Sequence, residues 1–137
     1  MSFVLDSSVS LAWCFEDERT DATDNLMERV VDQGASAPSL WPLEVLNGLV
    51  VAERRRRIDA ERCRRFAGFL RDLPVAIDAE SADRAWSDTY ALAERFGLTI
   101  YDAAYLELAR RLGVPLATLD QKLRDAAEVL GISLLGH

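Results

Sequence analysis

A short apolar run, Phe3-Val4-Leu5, breaks off at Asp6-Ser7-Ser8, the pattern of a buried strand leaving into a helix that runs to about Phe15. A charged turn, Glu16-Asp17-Glu18-Arg19, leads to a helix over about 21–32, and 35–38 reads as a weak strand. Pro42 suits the first turn of the next helix, which Val45, Leu49 and Ala52 carry on at helical spacing. Residues 59–72 form a further helix and Val75-Ala76-Ile77 a strand. Over 81–96 the apolar residues Ala82, Ala85, Trp86, Ala93 and Phe96 recur on a helical period, with Gly97 as the stop. A helix over 102–112 ends at Gly113, a strand covers 114–117, a helix over 120–130 ends at Gly131, and 132–134 is a last strand. No internal repeat, low-complexity tract or linker interrupts the series. Strands alternating with helices predict one α/β domain over 1–137, with a central, mostly parallel sheet flanked by helices on both faces.

Composition narrows the chemistry. Half of the 137 residues are apolar and 28% are charged, a globular balance rather than a disordered one. No apolar run approaches the roughly 18 residues of a membrane helix, and the N-terminus lacks a basic stretch followed by an apolar one. Neither a membrane span nor a signal peptide is expected. Cys14 and Cys63 show no CxxC or ligand spacing and read as reduced thiols of a cytoplasmic protein. The only histidine is His137, the last residue. Ser-His, Cys-His and histidine acid–base mechanisms therefore lack their usual base, and a zinc site of the usual His/Cys kind is excluded. A hydrolase built on this chain must work through carboxylates or a metal. No GxGxxG or P-loop pattern points to a nucleotide cofactor.

The net charge of −7 hides a local reversal. Between Glu53 and Arg65 seven arginines, Arg54, Arg55, Arg56, Arg57, Arg62, Arg64 and Arg65, face three acids, a local excess of four that leaves −11 elsewhere. Such a stripe on an acidic body suits phosphate, and Arg54 to Arg57 are the candidate contacts to a nucleic-acid backbone. A partner protein or plain solvation would use the same residues.

Four acids share one edge in this layout. Asp6 lies just past the first strand, Thr118 and Asp120 just past the fourth, and Glu44 and Asp102 sit in first turns whose side chains point back toward that edge. Open α/β sheets bind ligands there. Each acid also has a bland role: Asp6 and Asp120 as helix caps, Glu44 and Asp102 as complements to helix dipoles, with 99–102 resembling a capping box. Together the four are costly, since two carboxylates about 4 Å apart repel by roughly 4 kcal/mol at an effective dielectric near 20. A cluster of this kind calls for a counter-charge, and all-oxygen ligands suit magnesium or manganese. Asn47, three residues after Glu44, faces the same side of its helix and is placed to orient Glu44, touch a phosphate or simply meet solvent. Ser7, Ser8 and Thr118 are placed to support the ligands or to cap backbone. Tyr101 and Tyr105 flank Asp102 as base-stacking or, more simply, packing residues. Trp13, Trp41 and Trp86 fall among apolar residues, as core or interface.

Val4-Leu5-Asp6-Ser7-Ser8, Glu44-Val45-Leu46-Asn47, Leu98-Thr99-Ile100-Tyr101-Asp102-Ala103-Ala104-Tyr105 and Ala117-Thr118-Leu119-Asp120 resemble, in order and spacing, the four signatures of PIN-domain nucleases, and most of all the VapC-type toxin ribonucleases of bacterial toxin–antitoxin pairs. Ser7 stands where that family often has threonine, which keeps the hydroxyl. The resemblance implies a three-layer PIN-like fold and an endoribonuclease whose catalytic, metal-binding residues Asp6, Glu44, Asp102 and Asp120 surround one or two Mg²⁺ or Mn²⁺ ions. It also implies a cognate antitoxin and a homodimer, for which the neighbourhoods of Trp13 and Trp41 are candidate surfaces. The alternative is a degenerate PIN-fold binding module that acts through a protein partner. A phospho-accepting receiver domain would carry an acidic pair after the first strand, and a haloacid-dehalogenase phosphatase an early Asp-x-Asp. Ser7 and Ser8 follow Asp6 instead.

Overall fold

The computed structural model describes residues 2–137. Strands β1 (Val4–Leu5), β2 (Ala35–Ala37), β3 (Val75–Ile77), β4 (Leu116–Ala117) and β5 (Leu134–Leu135) form one sheet of order β3-β2-β1-β4-β5. Every pairing is parallel, with Val4 opposite both Ser36 and Leu116. The strands are short, so burial comes from the helices that cover both faces. That explains why β1 reads as a continuous apolar run: Phe3, Val4 and Leu5 are fully enclosed.

The helices are α1 (Ser7–Ala12), α2 (Asp21–Gln33), α3 (Trp41–Arg54), α4 (Ala60–Asp72), α5 (Ser81–Arg84), α6 (Tyr90–Phe96), α7 (Ile100–Leu112) and α8 (Gln121–Val129). Helix α7 is the central support, burying Ala103, Tyr105, Leu106, Leu108 and Ala109 against β1, β4, α6 and α8. Helices α1 and α3 lie in close contact. A Cβ added to Gly48 would fall 2.5 Å from Leu11 Cδ1, so any larger residue there would have to displace the Leu11 side chain.

The sheet and its flanking helices follow the expected layout, and the differences have local causes. The last two strands begin later than the apolar pattern suggests. Val114 and Ile132 spend their N–H groups on Ala109 O and Ala127 O, closing the preceding helices, and are lost to the sheet. The expected helix over 81–96 is present and ends at Gly97, but 85–89 widens into a π-helical segment between α5 and α6. Helix α1 stops at Ala12 rather than near Phe15, and α7 starts two residues early because Thr99 Oγ1 accepts the Asp102 N–H (3.1 Å). Among the described residues no helix is long and apolar enough to cross a membrane.

Candidate active site

The carboxyl edge of the sheet is assembled by hydrogen bonds that join the exits of β1 and β4. Asp6 N–H donates to Ala117 O (3.0 Å), carrying the parallel pairing one residue past β1. The Asp6 carboxylate is 3% exposed, and its Oδ2 accepts from Ser8 Oγ (2.6 Å) and Thr118 Oγ1 (2.8 Å). Each hydroxyl is itself oriented by a backbone donor: Leu119 N–H to Ser8 Oγ (3.0 Å) and Asp120 N–H to Thr118 Oγ1 (3.1 Å). Asp6 occupies the N-cap position of α1 yet makes no side-chain cap. The plain capping role therefore fails for this residue. It applies to Asp120, whose Oδ1 accepts from Leu123 N–H (2.9 Å) at the start of α8.

Glu44 in the first turn of α3 and Asp102 in the first turn of α7 complete the group. Electrostatics shows how near the acids lie. The Asp6 carboxyl is pushed up from 3.8 to about 6, first by burial and further by the charges of Asp102 and Glu44, against the pull of Ser8 and Thr118. Asp102 is also raised, by burial and then by Asp120 and Glu44, with Thr99 and Lys122 opposing. Asp102 thus acts on Asp6 and is acted on by Asp120 and Glu44, and the cation that opposes them is Lys122, the chain's single lysine. Among the described residues, no three acids, histidines or cysteines are drawn tightly enough to clasp an ion by themselves. The donor set still suits a hard cation: it is all oxygen, bears excess negative charge, and Mg²⁺ keeps several of its waters in such sites.

The remaining expected residues divide. Thr118 is buried on Asp6, whereas Ser7 leaves that role to Ser8 and acts on the Tyr105 hydroxyl instead. Asn47 is exposed, and it is Tyr105 that meets Glu44: the buried phenol donates to Glu44 Oε1 (2.6 Å). Burial, then Asp6 and Glu44, raise the Tyr105 hydroxyl above its ordinary value, so it stays protonated and a donor. Sequence reasoning took Tyr105 for packing. Its signal was there, three residues after Asp102 on one helix face, because a buried tyrosine usually finds a partner for its hydroxyl. Tyr101, by contrast, is exposed.

Of the arginines, Arg57 turns away to Asp17 (3.1 Å) and Glu18 (3.0 Å) and stacks on Phe15. Arg54, Arg55 and Arg56 are exposed. Arg55 lines a cleft of about 380 Å³ that also contains Ser8, Gly48, Leu119 and Asp120, so it borders the acidic edge; Arg57 lines the same cleft, but with its guanidinium paired to Glu18 and Asp17. Trp13 and Trp41 are themselves buried, donating to Thr23 O (2.7 Å) and Ser10 Oγ (3.0 Å), while the neighbourhood of Trp41 exposes Leu43 and Leu46. Trp86 is the exposed one, at 89%.

A parallel sheet of order 3-2-1-4-5 with carboxylates gathered where its central strands end defines the class: an α/β domain with an acidic centre at the sheet's carboxyl edge. More narrowly, the chain belongs to the PIN domain family, whose pattern it matches over residues 3–129. It is 32% identical over 127 residues to Ribonuclease VapC3 of Pyrobaculum aerophilum, covering 91% of this chain and 94% of that protein. The fold is shared with solved structures. PAE2754 from Pyrobaculum aerophilum has a TM-score of 0.71 and 22% identity, over 98% of this chain and 83% of that one. VapBC2 from Rickettsia felis, bound to a DNA fragment from their promoter, has a TM-score of 0.66 and 15% identity, over 98% and 97%. FitAcB from Neisseria gonorrhoeae has a TM-score of 0.66 and 12% identity, over 98% and 96%.

Proposed function

We propose that this protein is a divalent-metal-dependent endoribonuclease and the toxin of a toxin–antitoxin pair. The observation that carries the reading is Asp6: a carboxylate 3% exposed, held by two hydroxyls, with two other acids acting on it and no arginine or lysine among its partners. Family membership and the kinship with a VapC ribonuclease support RNA as substrate. Asp6, Glu44, Asp102 and Asp120 would hold Mg²⁺ or Mn²⁺. Such an ion supplies Lewis acidity toward a phosphate oxygen and makes water a better nucleophile near neutral pH.

The protein's own part is positioning. Ser8 and Thr118 both donate to Oδ2 of Asp6, so Oδ1 is the oxygen that would meet a cation. Asp120 is anchored through the α8 cap, and Asp102 rides on the first turn of the well-buried α7. Arg55, beside the cleft, is placed to meet phosphate of the bound strand, and the excess negative charge nearby keeps RNA off the site until a cation is present. A homodimer and a small antitoxin complete the proposal. The exposed Trp86 and Tyr90 join Leu43 and Leu46, beside Trp41, as apolar surface offered to a second copy.

The test is cleavage of RNA by the purified chain in Mn²⁺, in Mg²⁺ and in excess chelator, with Asp102→Asn as control. Cleavage that needs the metal and Asp102 is expected. Cleavage undiminished by chelator would remove the metal, and metal binding without cleavage of any RNA would leave a binding module.

A further inference from the structure

We propose that Tyr105 is a positioning residue of this centre, holding the Glu44 carboxylate in place from beneath. The inference rests on the metal-site reading above and deepens it. Two of the four acids are held by hydrogen bonds already described, Asp6 by Ser8 and Thr118 and Asp120 by its cap. Glu44 has the longest side chain of the four and the most rotatable bonds, so it loses most when an ion orders it. Its partner is the Tyr105 hydroxyl at 2.6 Å, a distance typical of a hydrogen bond to a charged oxygen.

Location supports the role. Tyr105 is 0% exposed and lies one turn along α7 from Asp102, while Glu44 is on α3. The phenol thus spans from the helix that carries one acid to the helix that carries another, setting the gap between Glu44 and Asp102. A buried hydroxyl that needed only a partner would be served by a backbone carbonyl. This one is aimed at a carboxylate of the cluster, with Asp6 also acting on it. One hydrogen bond uses a fraction of the roughly four acceptor sites of a carboxylate, so Glu44 keeps capacity for a cation or its water.

The experiment is a double-mutant cycle on the full chain, with Mn²⁺ binding followed by calorimetry and RNA cleavage measured alongside. Tyr105→Phe keeps the ring and removes the hydroxyl. It is expected to weaken Mn²⁺ binding by about tenfold, the lower range for loss of a group that orients a metal ligand, and to lower kcat with KM for RNA unchanged. In a Glu44→Gln background the same change should add little, because the two residues act as one unit. Mn²⁺ affinity equal to wild type in Tyr105→Phe, or an equal loss in both backgrounds, overturns the proposal. So does a Tyr105→Phe chain that unfolds in metal-free buffer, which would make the hydroxyl a stability device. A wild-type chain that binds Mn²⁺ but cleaves no RNA sinks the nuclease reading alone, since the calorimetric cycle still decides on Tyr105. A wild-type chain that binds no Mn²⁺ overturns both.

Discussion

Asp6 and Asp78 occupy equivalent places in the fold and have opposite fates. Each is the first residue past a strand, β1 and β3, and each accepts from a serine shortly after it, Ser8 (2.6 Å) and Ser81 (2.8 Å). Asp78 also receives both terminal nitrogens of Arg111, at 3.2 and 2.7 Å, and the same guanidinium binds Glu107 (3.0 Å) and Glu80 (3.3 Å). Arg111 therefore holds the Asp78 carboxyl below the ordinary carboxylate range. Asp6 has neighbours of its own sign and no such cation, and is pushed up to about 6. The same chain builds a satisfied acidic cluster at one end of the sheet and an unsatisfied one at its centre. Neutralising side chains are evidently within its means, so the missing counter-charge around Asp6 is consistent with a place kept for a cation from solution.

The contrast breaks first under substitution of the central acids. Asp6→Asn or Asp102→Asn should lower RNA cleavage by more than the roughly 100-fold that loss of an outer partner costs a metal site, while the metal-free chain stays folded. Either variant melting out in metal-free buffer, by circular dichroism, would make these acids structural. Arg111→Ala tests the other cluster. Its side chain is 16% exposed, and removing it strands Asp78 and Glu107, for a loss of about 3 kcal/mol in urea unfolding with cleavage per folded molecule unchanged. A loss below about 1 kcal/mol would show that the network is no better than a surface pair.

The two aspartates should also leave opposite marks on stability against pH. Asp6 binds its proton more tightly folded than unfolded, so its effect is a fall in metal-free stability as pH rises from about 4 to about 6, level above that. A shift from 3.8 to about 6 corresponds to roughly 3 kcal/mol. Asp78, depressed by Arg111, contributes stability that is present above 3.8 and lost as pH falls through its folded value. Chemical unfolding at pH 4, 5, 6 and 7.5 should show the fall in wild type, its disappearance in Asp6→Asn, and its cancellation by saturating Mn²⁺. A wild-type profile identical to that of Asp6→Asn would contradict the raised carboxyl. The smallest effect concerns the arginines. On catalytically inactive Asp102→Asn protein, Arg55→Ala should reduce the salt slope of RNA binding by about 0.7, one phosphate contact on a single strand, and Arg57→Ala should leave it unchanged. Equal slopes in both variants would move the arginine stripe to the protein partner.

Much of this was legible in the residues alone. Alternating strand and helix patterns specify the layered α/β sheet, because a chain that buries both faces of its strands has few other ways to close. The exits of those strands put Asp6, Thr118 and Asp120 on one edge, and first-turn geometry sends Glu44 and Asp102 toward it. The single terminal histidine removes most competing chemistries without any structure. Beyond that, local pattern loses resolution. Successive residues on a helix turn by about 100°, and one step separates Ser8, which holds Asp6, from Ser7, which does not. The apolar period over 81–96 reports a helix, but it does not foresee that Ala82 and Trp86 end up exposed or that the turn widens at 85–89. Arg55 and Arg57 are alike in sequence, and only the approach of Asp17, Glu18 and Phe15 from a distant turn separates them. Tyr105 is the same lesson inside the core: its place on α7 follows from the sequence, but its partner Glu44 lies 61 residues away, and only the tertiary fold brings the two together. Local propensity and burial periodicity are properties of neighbours in the chain. The hydrogen bonds and charges that define this site belong to neighbours in space.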